Sequence, residues 1–239
     1  MLLGSSRVDD RTRLYAIGDI HGCLDLLDAL TAEIDADLAA DPPERHRLVF
    51  LGDYVDRGPD SAGVLGRLID LKDSGRPADF VRGNHDRKLL DFLADPAGEA
   101  PGFFAYGGVE TLASYGCESF GAGVDELAAE ARDEIPDTHT AFLAAAVSHV
   151  RHGDYFFCHA GVRPGVALAA QDADDLMWIR GPFLDSAADF GAVVVHGHTP
   201  TAAPDIRPNR IGVDTGAVFG GALTALVLEG AAYRFLQVT

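Results

Sequence analysis

Cysteine is scarce in this chain of 239 residues: three are present, Cys23, Cys117 and Cys158. The number is odd, the spacing is wide and no CxxC pair occurs. This excludes a disulfide framework and a thiolate zinc knuckle, and leaves buried reduced thiols. Cys158 adjoins His159, but neighbouring strand residues point to opposite faces, so the two do not read as a catalytic pair. Long apolar runs are also missing. No stretch reaches the roughly 18 residues of a membrane-spanning helix. The first residues, "MLLGSSRVDDRTR", carry acid early and too short an apolar run for a secretory signal. A cytoplasmic protein without a membrane partner is expected. Basic residues are few, 19 Lys and Arg against 37 Asp and Glu, giving a formal net charge of -18. That disfavours nucleic acid and anionic membrane as partners, while leaving room for a local basic pocket around one phosphate. Internal repeats and long low-complexity linkers are absent.

What is present suits one sizeable core: 47% of residues are hydrophobic, and the length reads as a single domain, 1–239. "RLYAIGDI" (13–20), "RLVFLGD" (47–53) and "ADFVRGN" (78–84) read as buried strands. Between them, Leu24, Leu27, Leu30, Ile34 and Leu38 recur at helical spacing, closed by "DPP" at 41–43. Asp60 and Ser61 can cap a second helix through Leu71, ending near Gly75. A third helix is expected from about Asp86 to Leu93. Alternating strands and helices predict parallel β-α-β units, an α/β class. Residues 95–150 differ: a Gly-rich irregular stretch precedes Ala-rich helical pieces at 124–134 and 138–150. This reads as a helical cap insertion. Strands resume at 154–162, 192–198, 210–216, 222–228 and 232–238, the last two flanking a hairpin turn at "EGAA".

The chemistry-bearing residues fall at the ends of these strands. "GDIHG" (18–22) carries Asp19 and His21, and "GDYVDRG" (52–58) carries Asp53, Asp56 and Arg57. "GNHD" (83–86) carries Asn84 and His85, "HAGV" (159–162) carries His159, and "HGHTP" (196–200) carries His196 and His198. Singly, each has a bland reading, because Asp and Asn beside Gly are ordinary turn residues and a lone His is more often structural. Five such segments in order, all at strand ends, are another matter, since sites in layered α/β folds gather there.

This ordered set resembles the phosphoprotein phosphatase branch of the calcineurin-like metallophosphoesterases, from Asp19 to about Gly221. "YGGVETLASYG" and "LMWIRGPF" resemble its bacterial serine/threonine phosphatase members. The resemblance implies a β-sandwich of two mixed sheets flanked by helices, and two divalent metal ions about 3.5–4 Å apart. By resemblance, Asp19 and His21 bind the first metal, Asp53 bridges both, and Asn84, His159 and His198 bind the second. Asn84 also reaches substrate phosphate. A donor set of mixed O and N atoms without thiolate suits Mn, with Fe or Zn as alternatives. His85 matches the general acid, Asp56 its carboxylate partner, and Arg57 and Arg180 the guanidinium clamps on phosphate oxygens. Arg180 also reads as part of a helical turn whose Trp178 and Ile179 are core. His196 is expected to pack beside the site, Asp214 to support it from behind, and Tyr106, Tyr115 and Phe120 to pack the cap. His46, His139, His149 and His152 are expected to be exposed.

The activity implied is a phosphoserine/phosphothreonine protein phosphatase, by direct attack of a metal-bridging hydroxide on a phosphoprotein, a phosphopeptide or a small phosphoester. The alternative is a symmetrical diadenosine tetraphosphate hydrolase of the same fold, which yields ADP. That subgroup's second motif resembles "GDLVARG", whereas this chain has Asp56 in "GDYVDRG". A non-catalytic binding module is disfavoured because every matched ligand is in place.

Overall fold

The computed structural model describes residues 3–9 and 11–239. Its first half alternates as the periodicity predicts: β1 (Thr12–Ile17), α1 (Leu24–Ala40), β2 (Arg45–Phe50), α2 (Ser61–Asp73), β3 (Ala78–Phe80) and α3 (Asn84–Ala94). Asp60 caps α2, its carboxylate accepting the Gly63 N–H at 2.7 Å. Helices α4 (Pro96–Ala105), α5 (Gly108–Ser114), α6 (Val124–Glu134) and α7 (Asp137–Ala145) follow. The second half comprises β4 (His149–His152), β5 (Tyr155–Cys158), α8 (Ala173–Trp178), α9 (Gly181–Leu184), β6 (Val193–His196), β7 (Asp205–Arg207), β8 (Arg210–Gly212), β9 (Leu223–Glu229) and β10 (Ala232–Val238).

The strands form two five-stranded sheets, ordered β10-β9-β1-β2-β3 and β4-β5-β6-β8-β7. Both are mixed: β1, β2 and β3 run parallel with an antiparallel β9–β10 hairpin beside them, and β5, β6 and β8 run parallel with antiparallel edges β4 and β7. Period-2 alternation sorts the side chains into layers. On β1, Leu14 and Ala16 face the second sheet, where they meet Phe157, Val193 and Val195. Tyr15 and Ile17 face the helices and pack with Leu27, Leu30, Val64 and Phe92. The outer face of the second sheet is closed by Leu176, Ile179 and Phe183 against Phe156 and Val194. Each fully buried Leu, Val or Phe contributes about 1.5–3 kcal/mol to holding these layers together. The fold is therefore helices, sheet, sheet, helices, with the C-terminal ends of β1, β2, β3, β5 and β6 feeding one group of loops.

Three departures from the sequence reading matter. Residues 95–114, read as irregular, are α4 and α5. Asp95 caps α4 by accepting from Gly98 N–H at 3.2 Å, Pro96 occupies its first turn, and Phe103 stacks on Phe92 at 4.5 Å. Tertiary burial thus overrides the low helix propensity of Gly98 and Gly102. Helices α4 to α7 bury Phe103, Leu112, Leu127 and Leu143 in the same cluster as α1–α3. The helix expected over 138–150 stops at Ala145, and His149–His152 becomes edge strand β4, paired antiparallel with β5. The strands expected to run to Asp53 and Asn84 end at Phe50 and Phe80. Gly52 turns there with φ 97°, and a Cβ on it would lie 2.4 Å from Gly83 N. The two loops therefore touch backbone to backbone, which only glycine permits.

Candidate metal centre

Among the described residues, six other than glycine have left-handed backbone: Arg11, His21, Asp53, Asp56, Arg57 and His198. Five of these six belong to the segments singled out above. Such backbone is strained, by about 1–3 kcal/mol per residue, and persists only where the surroundings over-determine it. The surroundings are visible. The Asp86 carboxylate accepts the N–H groups of Gly83 (2.8 Å), Asp53 (3.0 Å) and Tyr54 (2.9 Å), tying the β2 and β3 loops together and starting α3 at Asn84. Burial pushes Asp86 up to about 7, partly opposed by these N–H groups.

Two donor clusters meet at one carboxylate. His21, Asp53 and His85 form the first, and Asp53, His159 and His198 the second, all buried. Asp53 Oδ2 lies 3.5 Å from His21 Nε2, 3.3 Å from His159 Nε2 and 3.9 Å from His85 Nε2. Asp53 Oδ1 accepts from the His85 N–H at 3.0 Å, which leaves Oδ2 to the imidazoles. The tautomers are set from behind. His21 Nδ1 is 2.8 Å from the Val55 carbonyl and His159 Nδ1 is 2.9 Å from the Leu51 carbonyl. Each Nδ1–H donates outward, so each Nε2 points inward at Asp53, where His21 presents a lone pair and His159 presents one once its second proton is shed. Asn84 Oδ1 and His198 Nδ1 lie 2.9 and 3.2 Å from His159 Nε2. Lone pairs converging on a buried point, with backbone partners fixing the rings, fit a divalent cation of the O/N-preferring kind.

Electrostatics agree with that fit. Burial pushes His21 down to about 3 and His198 to about 2, so both are neutral donors at pH 7. His159 goes the other way. Burial opposes its charge, but Asp53 and Asp19 outweigh it and raise the imidazole to about 10. Asp53 is held well below the carboxylate range, the surrounding imidazoles outweighing burial. Asp19 is raised well above it by burial and by nearby Asp214. Its carboxylate accepts from His198 N–H at 3.0 and 3.2 Å, so Asp19 sits beside the donor clusters and buttresses the β6 loop. Gly197 leaves the room, since a Cβ there would fall 2.0 Å from Asp19 Oδ1.

His85 Nδ1 is 2.7 Å from Asp56 Oδ2, and Thr111 donates to Asp56 Oδ1 at 2.7 Å. Burial lowers His85 to about 4, so in the metal-free protein the pair orients a neutral ring. Arg57 donates to His21 Nε2 at 2.7 Å and to His85 Nε2 at 2.9 Å. Arg180 is exposed, beyond the end of α8, and donates to Thr199 Oγ1 at 3.1 Å. Lys88, on α3, adds a cation that sequence reading missed, with its Nζ 5.1 Å from the Tyr106 ring centroid. Among the described residues, Arg57, Lys88 and Arg180 form no salt bridge with a carboxylate, whereas Arg13, Arg47, Arg163 and Arg234 do, and Arg82 and Arg132, away from the donors, donate to main-chain carbonyls.

Other expectations are corrected. Tyr106, assigned to cap packing, lies 5.5 Å from His85, and Trp178, assigned to core, is half-buried and 6.2 Å from His198. No local signal marks either ring, because their approach depends on how α4 and α8 dock. His46, His139, His149 and His152 are half-buried. His139 bonds to Tyr115 and His152 to Asp79, each at 2.7 Å. His196 packs on Phe183 at 5.0 Å, and Asp214 accepts from Gly216 N–H at 3.0 Å. The cysteines are free, with Cys117 and Cys158 buried and Cys23 half-buried. No helix among the described residues is long and apolar enough to cross a membrane.

The sequence profile of the calcineurin-like phosphoesterases matches residues 12–221. The chain belongs to this family. It is a metallophosphoesterase, a hydrolase, and the family's two divalent metals fit its paired clusters. A relative from Halalkalibacterium halodurans, named bis(5'-nucleosyl)-tetraphosphatase PrpE [asymmetrical], is 30% identical over 230 residues, 88% of this chain and 87% of its own. Among solved structures, a candidate diadenosine tetraphosphatase superposes with TM-score 0.65 at 24% identity, covering 97% of this chain and 99% of its own. A cold-active protein-tyrosine phosphatase of a psychrophilic Shewanella superposes with TM-score 0.59 at 17% identity, over 97% of this chain and 83% of its own. At those identities the two structures share the fold, and the fold alone spans both substrate classes.

Proposed function

We propose that this chain is a metal-dependent hydrolase of dinucleoside tetraphosphates that cuts them into unequal halves, a nucleoside triphosphate and a nucleoside monophosphate. One observation carries the reading: three cations without carboxylate partners, Arg57, Lys88 and Arg180, ring the donor centre of a chain with net charge -18. One phosphomonoester needs fewer cations than this, while a polyphosphate spreads charge over several groups. The names of relatives similar over most of their length support the substrate class.

In this reading Asp19, His21, Asp53, Asn84, His159 and His198 hold two divalent ions, Mn before Fe or Zn. When bound, these ions neutralise phosphate charge and supply a hydroxide near neutral pH. Arg57 and Arg180 clamp phosphate oxygens, and Asn84 adds a side-chain amide donor. His85, held by Asp56, faces the leaving oxygen.

The His85–Asp56 pair also favours a second reading, a phosphoserine/phosphothreonine phosphatase, because Asp56 distinguishes the chain from the symmetrical hydrolases. It does not bear on the asymmetrical ones. Product analysis separates the three. The Mn-loaded enzyme should convert diadenosine tetraphosphate to ATP and AMP in equal amounts. ADP alone would place it with the symmetrical enzymes, and higher kcat/KM for phosphate release from a phosphoserine peptide would favour the phosphatase.

A further inference from the structure

The mouth of the site carries an aromatic corner that neither the metal donors nor the phosphate clamps require. Tyr106, just after α4, stands edge-on to His85 at 5.5 Å and to Trp178 at 5.9 Å, with an interplanar angle of 77° between the Tyr106 and Trp178 rings. Trp178 lies 6.2 Å from His198. One ring therefore borders each donor cluster. Tyr106 is 38% exposed and Trp178 half-buried, so both offer ring surface to solvent. Lys88 Nζ sits over both rings, 5.1 and 5.3 Å from their centroids.

We propose that Tyr106, Trp178 and Lys88 form a nucleobase subsite that stacks one base of the substrate beside the donor centre. This rests on the dinucleoside tetraphosphate reading and names the part of the site that recognises the nucleoside. Every base has a π face, and stacking on an aromatic ring is tolerant of base identity. Two rings at a steep angle give a base one face and one edge to meet, and the ammonium is placed for the adjoining phosphate. The corner is pre-organised. Met177 and Ile179, both buried, fix the chain on either side of Trp178, and the Tyr106 N–H is held by the Gly102 and Phe103 carbonyls, so little freedom is lost on binding. Phe219 is the other exposed ring near the centre, at 65% exposure, but it stands alone with Arg57 over it at 5.5 Å.

Trp178 is the only tryptophan in the chain, so intrinsic fluorescence reads the subsite directly. α,β-Methylene-ADP, which resists hydrolysis, should quench the metal-loaded enzyme to saturation, and methylenediphosphonate, which lacks a base, should not. Tyr106→Ala should weaken the nucleotide's apparent affinity about tenfold. It should also lower kcat/KM for diadenosine tetraphosphate by about that factor beyond its effect on inorganic tetraphosphate. Equal quenching by the two probes, or equal losses on the two substrates, overturns the subsite. So does a quench that survives Tyr106→Ala and vanishes in Phe219→Ala, which moves the base to the Arg57 side. If the wild-type enzyme leaves dinucleoside tetraphosphates intact, the functional reading fails separately. The fluorescence titration alone then decides the subsite: it stands with a base-dependent quench and falls without one.

Discussion

One carboxylate joins the two donor clusters, and the effects of single substitutions follow from its position. Asp53→Asn keeps the shape but removes the charge that faces three imidazoles. Metal content should fall at both sites and turnover by more than about 100-fold, as read by elemental analysis and steady-state rates. Metal and activity surviving together would mean that Asp53 is not the bridge. His85 is the sharper case, because the structure places it inside a donor cluster as well as against Asp56. If it acts on the leaving group, His85→Asn cuts kcat about 10²–10⁴-fold with both metals retained, whereas a lost metal would make it a ligand. His159 gives a pH test. Its proton is held up to about pH 10, so the metal-free protein keeps it at neutral pH, and a ligand imidazole must shed it. Calorimetry in buffers of different ionisation enthalpy should therefore show proton release on Mn binding, and metal affinity should weaken as pH falls. Buffer-independent heats at pH 7.5 would remove His159 from the ligand set.

At the scale of elements, the site depends on loops that leave their strands early. Gly83 is the tightest point, because an added Cβ would fall 2.1 Å from Asp53 Oδ1 and 2.2 Å from Asp53 N. Gly83→Ala should displace Asp53, cost stability by about 1–3 kcal/mol and empty the metal sites. A variant that melts and binds metal like the parent would contradict this close approach. The motif residues were legible in sequence because Asp, Asn and His beside glycine at the end of an apolar run combine a turn with metal-capable chemistry. Strand β4 was not, since "HVRH" is a half-buried edge strand with little apolar alternation. Helix α4 was masked by its glycines and prolines, and its stability comes from Phe103 on Phe92. Lys88, Tyr106 and Trp178 stayed hidden for a related reason: α3, α4 and α8 must dock before their side chains reach the site.

For the whole molecule, the two sheets bring together donors that are more than a hundred positions apart, as with Asp53 Oδ2 and His159 Nε2 at 3.3 Å. The apolar seam between the sheets is what holds that register. Phe157, fully buried in it, should cost about 3–5 kcal/mol when cut to alanine, measured by urea unfolding, and should weaken metal binding with it because His159 directly follows the end of β5 at Cys158. Loss of stability without loss of metal affinity would mean that the loops hold the centre independently of the seam. The most direct measurement is anomalous diffraction from crystals of the chain grown with Mn. Two peaks about 3.5–4 Å apart are predicted, both against the Asp53 carboxylate, one beside His21 and one beside His159 and His198. A single peak, or peaks away from Asp53, would contradict the dinuclear centre.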